Sequence, residues 1–299
     1  MRVLVAMSGG VDSSVAAALM VEYGHDVAGV TLKLWGGDSD SGCCSVSDVD
    51  DARRVAQQLD IDHHVFNFSD DFNRHVVEPY VVDHAAGLTP NPCIECNRYL
   101  KFDRLLERTR VLGFDRLVTG HHVRMIETTE GLRLARSADS AKDQSYVLHM
   151  ISVADLATCL FPLGEMTKSE VRDHAHRLNL RTAGKPDSQD LCFVTKASGR
   201  AKFLADRIEL HSGDLVDADG NTVGRTDSVE LVTIGQRRGL DLGGSGDRRY
   251  AVDVDVPRRR VVIGNAADLV SVGVRLESHV WVDGPVSGPV AVQVSAHGA

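Results

Sequence analysis

The stretch Val3-Leu4-Val5-Ala6-Met7-Ser8-Gly9-Gly10-Val11-Asp12-Ser13-Ser14 decides the fold. A short apolar run meets two glycines and continues into an alanine-rich sequence that ends near Tyr23. This order predicts a buried strand, a tight glycine turn and a helix. Paired glycines let the backbone approach an anion closely, and the start of the helix adds amide donors and a favourable dipole. We therefore expect a phosphate-binding turn here.

Strand-like and helical segments alternate after this turn. Strands are predicted over 26–35, 63–68 and 116–120, and helices over 12–23, 48–59, 70–86 and 97–112. The alternation predicts an α/β domain with a doubly wound parallel sheet. Ligands of such sheets lie beyond the carboxyl ends of the strands, so Ser8-Gly9-Gly10 and Gly120-His121-His122 are expected to converge.

The texture of the sequence changes near residue 195, where short strand-like segments with glycine turns begin. A chain of 299 residues is also longer than a single core usually supports. We predict a catalytic domain over 1–195, a small β-rich central domain over 196–270, and the start of an incomplete C-terminal β-barrel over 271–299.

Composition narrows the functional classes. No apolar run is long enough to span a membrane, and the N-terminus lacks the features of a signal peptide, so we expect a cytoplasmic protein. A net charge of -9 disfavours a general nucleic-acid surface. Basic residues nevertheless concentrate over 97–124 and 225–260, and each stretch is either a local RNA-binding surface or an ordinary solvated face.

The glycine turn carries chemical information beyond its shape. Ser13 and Ser14 add hydroxyl donors, whereas the lysine of a Walker loop is missing, so the turn should hold a leaving pyrophosphate and not a transferred phosphoryl group. Asp12 is placed to hold Mg²⁺, to cap the helix, or both. The alternative is a tight turn with no ligand.

Three cysteines lie in reactive contexts. Cys93 and Cys96 form a Cys-x-x-Cys in a proline-bounded loop before a basic helix, a setting that favours thiolate, and Cys192 follows Asp187-Ser188-Gln189-Asp190-Leu191. Structural zinc is the alternative for Cys93 and Cys96, but a second ligand pair is missing. Cys159 reads as a core residue in a helical stretch, and Cys43-Cys44 suggests no role.

The turn resembles the PP-loop of ATP pyrophosphatases, and further motifs extend the likeness along the chain. These are Thr89-Pro90-Asn91-Pro92, Cys96-Asn97, Thr119-Gly120-His121, Lys142-Asp143-Gln144-Ser145-Tyr146, Phe161-Pro162-Leu163-Gly164 and Asp187 to Phe193. Together they are similar to the tRNA-specific 2-thiouridylase family. The resemblance implies adenylation of the 2-oxygen of the wobble uridine in tRNAs for lysine, glutamate and glutamine, followed by sulfur transfer.

The resemblance also assigns roles to residues. ATP, with Mg²⁺, would be bound by Ala6, Met7, Ser8, Gly9, Gly10, Val11, Asp12, Ser13, Leu32 and Gly120. The target base would lie against Asn91, Pro92 and Cys93, and tRNA would contact His121, Lys142, Asp143 and Gln144. A cysteine desulfurase or a sulfur-relay protein would supply the sulfur.

Two sulfur mechanisms remain open from the sequence. The resemblance implies a persulfide on Cys192 and attack by Cys96, which frees sulfide or closes a transient disulfide. Many family members have aspartate at the position of Cys93, so Cys93, Cys96 and Cys192 are instead candidate ligands of a 4Fe-4S cluster with one open iron.

Alternatives from other classes also remain. An amide-forming ATP pyrophosphatase needs the same turn without the cysteines, and a nucleotide- or metal-binding module needs no turnover. Family members usually continue into a complete C-terminal barrel that grips tRNA, whereas this chain stops at Ala299, so we expect weak, salt-sensitive tRNA binding.

Overall fold

The computed structural model describes residues 1–34, 46–187, 191–194, 199–242, 248–273, 275–276 and 278–293. The chain divides into two compact units. One contains 1–75, 93–193 and 278–299, and the other contains 76–92 and 194–277. In the described part of the chain, no helix combines the length and apolar character needed to cross a bilayer.

The first unit is built on a parallel sheet, which confirms the predicted fold class. Its strands are β1 (Arg2–Ala6), β2 (Asp26–Lys33), β3 (Asp62–Asn67), β4 (Arg116–Thr119) and β7 (Cys159–Leu160). They lie in the order β3-β2-β1-β4-β7. Because β1 is central, Val3, Leu4 and Val5 are fully buried, as the continuous apolar run predicts for a strand covered on both faces.

Helices and an antiparallel hairpin accompany the sheet of this unit. The helices are α1 (Val11–Glu22), α2 (Val46–Gln58), α3 (Ser69–Phe72), α5 (Pro92–Glu95), α6 (Leu106–Val111), α7 (Val153–Leu156) and α8 (Lys168–Arg177), and the hairpin pairs β5 (Val123–Thr128) with β6 (Gly131–Arg136). Asn73–Val77 and Cys96–Leu105 are π-helical, and Ser145–Leu148 is a 3₁₀ turn.

One core cluster of the first unit lies on the α1 side of β1. Val3 and Val5 of β1 pack there with Val15 of α1, Val55 of α2 and Val171 of α8, and all five are fully buried. Helix α1 is apolar around most of its circumference, as the alanine-rich sequence predicts for a helix enclosed by the sheet and other helices. The packing fixes the start of α1 directly beyond the end of β1.

The second unit contains a five-stranded sheet, in agreement with the β-rich texture of its sequence. Its elements are α4 (Glu78–Ala85), α9 (Gly199–Ala205), β8 (Gly213–Val216), β9 (Thr222–Thr226), β10 (Asp241–Leu242), β11 (Tyr250–Asp255) and β12 (Arg260–Gly264), with 3₁₀ turns at Val229–Leu231 and Ala266–Leu269. The strand order is β10-β9-β8-β12-β11. Leu215, Val229, Ala251, Val261 and Ile263 form its core.

The segment 278–293 belongs to the first unit by its contacts. Arg133 in β6 pairs with Asp283, and the Arg136 guanidinium lies 3.2 Å from the Gln293 side-chain oxygen. Residues 76–92 group with the β-rich unit, a division that local sequence patterns did not suggest. The boundaries at 195 and 270 and the C-terminal barrel stay predictions.

Candidate active site

The predicted phosphate turn lies at the carboxyl end of the central strand. Gly9 has φ +73, and a Cβ there would overlap the Asp48 carbonyl of α2, so only glycine fits this position without movement. The hydroxyls of Ser13 and Ser14 both donate to the Gly10 carbonyl, at 3.2 and 2.8 Å. The turn is therefore held in shape by its own helix and by α2.

The second glycine segment converges on the same turn, as the sequence predicted. A Cβ on Gly120, just after β4, would lie 2.7 Å from the Ser13 amide nitrogen and 2.8 Å from the Asp12 carbonyl carbon. Strands β1 and β4 are neighbours, with β2 on the other side of β1. The chain thus places both segments at the point where the strand order reverses, the usual ligand site of such sheets.

A group of charged side chains surrounds Asp12. The Lys168 ammonium lies 2.6 and 2.7 Å from the two Asp12 carboxylate oxygens and 3.0 Å from Asp187. His122 Nε2 lies 3.3 Å from Asp12. Burial alone raises the pKa of Asp12, but hydrogen bonds to His122 and Lys168 and the lysine charge bring it below its ordinary value. Asp12 is therefore an anion at neutral pH.

Asp187 is the second acidic centre of this group. Lys142 and Arg172 bind its carboxylate at 2.8 and 2.7 Å, in addition to Lys168. Burial raises the pKa of Asp187, yet the hydrogen bonds and charges of Lys142 and Lys168 outweigh it and set the pKa at about 2. Asp187 lies five residues before Cys192, so the cation cluster connects the phosphate turn with the start of the cysteine segment.

Lys185 anchors the glycine turn from another side. Its ammonium donates to the Gly9 carbonyl at 2.9 Å and pairs with Asp48 and Asp51 of α2 at 2.6 and 2.8 Å. Arg181 also pairs with Asp51, at 2.8 Å. Because the contact is to a carbonyl, Lys185 stabilises the backbone conformation that leaves the amides of the turn for a ligand.

A hydrogen-bonded relay fixes the residue before the turn. The Thr31 hydroxyl donates to the Met7 carbonyl at 2.7 Å, so it accepts from His63 Nε2 at 2.9 Å. Burial, with the nearby charge of Arg53, lowers the pKa of His63 to about 4. His63 is therefore neutral at physiological pH, with its proton on Nε2.

The Cys-x-x-Cys begins a helical segment with unusual geometry. Cys93 is exposed in the short helix α5, whereas Cys96 is buried and opens the π-helical Cys96–Leu105. The buried Asn97 amide donates to the Cys93 carbonyl at 2.9 Å, and its oxygen Oδ1 has no partner among the described residues. Local π-helical geometry is frequent at functional sites.

The predicted tRNA-contact segment lies near Cys93. Burial raises the pKa of the Tyr146 hydroxyl, and negative charge at Cys93 and Asp143 raises it further. Gln144 exchanges two hydrogen bonds with the backbone of His122, at 2.9 and 3.0 Å. The Asp143 carboxylate accepts from the Ser137 amide at 2.9 Å and the Ser145 hydroxyl at 2.7 Å.

The remaining predicted site residues have diverse surroundings. His121 is 8% exposed and contacts the rings of Phe102 and Phe161. Its Nδ1 forms a 2.7 Å hydrogen bond with the Thr119 hydroxyl. Burial holds the pKa of His121 well below its usual value. Leu32 is buried near the end of β2. Asn91 and Pro92 belong to the second unit, and Ser188, Gln189 and Asp190 lie outside the described residues.

The cysteines outside the Cys-x-x-Cys differ in burial. Cys192 is half-buried, and the adjacent Phe193 ring packs against Phe72 at 5.7 Å. Cys159 is fully buried in strand β7, which confirms its predicted role as a core residue. The predicted helix at this position is wrong, because the chain joins the edge of the sheet beside β4. Burial raises the pKa of Cys159 to about 12, so this thiol is inert. Cys43-Cys44 lies outside the described residues.

The basic surface predicted over 97–124 is partly neutralised. Arg104 lies 3.9 Å from Asp71, Arg110 lies 2.6 Å from Asp155, and Arg124 lies 3.5 Å from Glu165. Arg108 covers the rings of Phe66 and Phe68. Several of the cations therefore have structural partners, and the sequence count overstates the free positive charge.

Sequence reasoning missed Lys168, Lys185 and Arg172, and it left His122 without a role of its own. Lys168 follows Thr167, which with Glu170 forms a capping box at the start of α8. That signal locates a helix start but not its neighbour, because Lys168 and Asp12 are 156 positions apart. A tertiary pairing over this distance has no local pattern.

Comparison with known proteins places the chain in a defined group. A sequence profile described as the tRNA methyl transferase HUP domain matches residues 1–196, and one described as the tRNA methyl transferase PRC-barrel domain matches residues 201–265. The match to the first profile covers the phosphate turn and all three reactive cysteines.

Relatives match over almost the whole chain. Proteins named tRNA-specific 2-thiouridylase MnmA from Chloroflexus aurantiacus and Acidothermus cellulolyticus are each 45% identical, over 99% and 100% of this chain and 85% of each relative. A solved U34-tRNA thiolase NcsA from Methanococcus maripaludis, with a 4Fe-4S cluster, overlaps 69% of this chain and 64% of its own at 19% identity and a TM-score of 0.42. That structural overlap is too limited to bear on function.

Proposed function

Because this chain belongs to the tRNA-specific 2-thiouridylase family, we propose that it catalyses ATP-dependent 2-thiolation of the wobble uridine in tRNAs for lysine, glutamate and glutamine. One observation carries the proposal: the glycine turn after β1 and Gly120 after β4 meet at the ligand end of the sheet. The Cys-x-x-Cys and Cys192 belong to the same compact unit.

The first chemical step activates the uridine. The uridine 2-oxygen attacks the α-phosphorus of ATP, and pyrophosphate leaves, so the product is a uridine adenylate. Amides of Gly9 to Ser13, in the turn and at the start of α1, bind the phosphates, with Ala6, Met7, Ser8, Leu32 and Gly120 forming the rest of the nucleotide site. Asp12 would hold the Mg²⁺ that accompanies ATP, and the ion would neutralise phosphate charge there.

The second step transfers sulfur. A desulfurase or relay protein leaves a persulfide on Cys192, and the Cys96 thiolate attacks the Cys192 sulfur. The Cys192–Cys96 disulfide forms and the terminal sulfur departs as hydrosulfide, which adds to C2 of the adenylated uridine and displaces AMP. A thiol reductant then returns the disulfide to two thiols. The target base contacts Asn91, Pro92 and Cys93. The surface of the protein that binds tRNA is formed or positioned by His121, Lys142, Asp143 and Gln144.

An iron-sulfur cluster is the second candidate for the sulfur source. In the described part of the chain, no three His, Cys, Asp or Glu side chains are grouped as a metal ion requires, although Cys93, Cys96 and Cys192 are all described. Cys93 is exposed and Cys96 is buried. We therefore derive the sulfur step from persulfide alone.

The organisation of the chain follows the same proposal. Residues 1–195 bind ATP and carry out catalysis, and 196–270 form the central domain. Because tRNA is the substrate, the protein acts in the cytoplasm.

Pyrophosphate release tests the proposal. With Mg²⁺ and ATP, we expect release to rise at least about tenfold when unmodified tRNA for lysine is added, because the uridine is the attacking group. The same tRNA with cytidine at the wobble position is the control and should give only the basal rate. Release that instead depends on an amine or a small acid would identify an amide-forming ligase.

A further inference from the structure

The turn over 233–240 in the second unit carries two neighbouring arginines. Its sequence, Thr233-Ile234-Gly235-Gln236-Arg237-Arg238-Gly239-Leu240, contains no acidic residue. Arg237 and Arg238 are both exposed, and neither has an ion-pair or hydrogen-bond partner among the described residues. Their guanidinium donors are therefore available to a ligand.

Gln236 fixes the shape of this turn. Its side-chain oxygen accepts from the Thr233 amide at 3.1 Å, and its side-chain nitrogen donates to the Arg238 carbonyl at 3.0 Å. Gly235 and Gly239 have φ +84 and +74, a backbone region that other residues rarely adopt. The arginines thus extend from a defined loop, so a ligand that binds them has little backbone to order.

Hydrogen bonds join the turn to a second arginine pair. The Gly235 amide donates to the Ala251 carbonyl at 2.7 Å, and the Ala251 amide donates to the Gln236 carbonyl at 2.9 Å. Arg248 and Arg249 come just before β11 and are exposed, again with no partner in the part of the chain that the structure describes. Arg249 is two residues from Ala251, at most about 7 Å of chain. The backbones of the two arginine pairs are therefore close together.

Two other arginines of the basic stretch 225–260 have carboxylate partners. Arg225 lies 3.7 Å from Asp214, and Arg258 donates to Asp255 at 2.7 Å. A count of charges in the sequence does not distinguish these arginines from the pair in the turn, whereas their partners do. The unpaired cations are concentrated at the turn and at the start of β11.

We propose that Arg237 and Arg238, together with Arg248 and Arg249, bind the phosphodiester backbone of tRNA, so that the β-rich unit forms part of the RNA-binding surface. The inference rests on the proposed function, because it takes tRNA as the substrate. Guanidinium groups suit this ligand, since each donates two parallel hydrogen bonds to one phosphate. Backbone contacts position an RNA without reading its sequence, so one surface serves all the substrate tRNAs. A local group of cations also reconciles RNA binding with a net charge of -9.

The salt dependence of tRNA binding tests the proposal. The proteins compared are the wild type, the double variant Arg237→Gln with Arg238→Gln, and the double variant Arg225→Gln with Arg258→Gln. Each is titrated with unmodified tRNA for lysine between about 50 and 200 mM KCl. Loss of the two phosphate contacts in the turn should weaken binding about tenfold and lower the slope of log affinity against log salt by roughly 1.5.

The double variant of Arg225 and Arg258 is the matched control. It removes the same charge from the same unit, but at arginines that already have carboxylate partners. Its salt slope should equal that of the wild type. A wild-type slope in the Arg237 and Arg238 variant would overturn the inference, and so would an equal decrease in both variants, which would reflect net charge alone. A wild type that binds no tRNA would contradict the proposed function itself, which is a separate failure.

A charge-conserving variant and the nucleotide supply further readouts. Arg237→Lys with Arg238→Lys keeps both positive charges, so its salt slope should stay that of the wild type. A decrease as large as in the glutamine variant would overturn the proposal, because a disturbed loop would then explain both. ATP affinity should be the same in all variants, since the nucleotide site belongs to the first unit. A fall in ATP affinity that parallels the fall in tRNA affinity would show binding to nucleotide phosphates instead.

Discussion

Replacing Cys192 by serine is expected to reduce 2-thiouridine formation at least about a hundredfold, the scale on which enzymes lose rate when a covalent nucleophile is removed. A serine hydroxyl does not accept persulfide sulfur and cannot form the disulfide with Cys96. Adenylation of the uridine uses the glycine turn and not this cysteine, so tRNA-dependent pyrophosphate release should persist. Mass spectrometry of digested tRNA measures the thiolated base, and a pyrophosphate assay measures the first step.

Two other cysteines give this experiment its controls. Cys159→Ser changes the same atom in a fully buried strand residue and should leave thiolation within about twofold of the wild type, because the thiol takes no part in chemistry. Cys93→Ala distinguishes the sulfur sources. If the sulfur comes from a persulfide, the metal-free Cys93→Ala protein still thiolates tRNA. If it comes from a cluster ligated by Cys93, the variant loses thiolation. Undiminished thiolation by Cys192→Ser would mean that the sulfur carrier is wrongly assigned.

Replacing Gly9 by alanine is the second change with a large expected effect. The left-handed backbone at φ +73 alone costs a non-glycine residue about 1–2 kcal/mol. The new methyl group also overlaps the Asp48 carbonyl, on the helix that holds Lys185. Either the turn or α2 must shift, so ATP affinity should fall at least about tenfold, measured by calorimetry beside the thermal unfolding midpoint.

Gly24→Ala is the matched control for that substitution. Gly24 follows α1 and has nearly the same backbone conformation, φ +75, but a Cβ there meets nothing within 4 Å. Both variants therefore share the conformational cost and differ in the overlap. We expect Gly24→Ala to lower the unfolding midpoint slightly and to bind ATP as the wild type does. Equal ATP affinity in both variants would show that the close approach of Gly9 to α2 is not needed for binding.

Much of the first unit follows from local sequence. The apolar run before Ser8 gives β1 because a strand covered on both faces needs no polar alternation, and Gly9 and Gly10 require a turn. The two-residue strand β7 and the hairpin β5–β6 were missed. Two residues are too few to show a period, and β7 exists because Cys159 and Leu160 meet β4.

The sequence predicted those parts of the site that are motifs at the ends of strands. The convergence of Gly120 with the turn follows from the carboxyl ends of neighbouring parallel strands. The cations Lys168, Lys142 and Arg172 around Asp12 and Asp187 did not follow, because they come from different elements joined only by packing. The grouping of residues 76–92 with 194–277 is likewise a tertiary property.

An isotope measurement tests most directly that the uridine oxygen attacks ATP in this protein. The substrate is tRNA for lysine whose wobble uridine carries oxygen-18 at O2, incubated with enzyme, Mg²⁺, ATP and a persulfide donor. If the uridine is adenylated and sulfur displaces AMP, the label leaves the base and appears in the phosphate of AMP, one atom for each 2-thiouridine formed. AMP without oxygen-18, formed alongside thiolated tRNA, would contradict the mechanism.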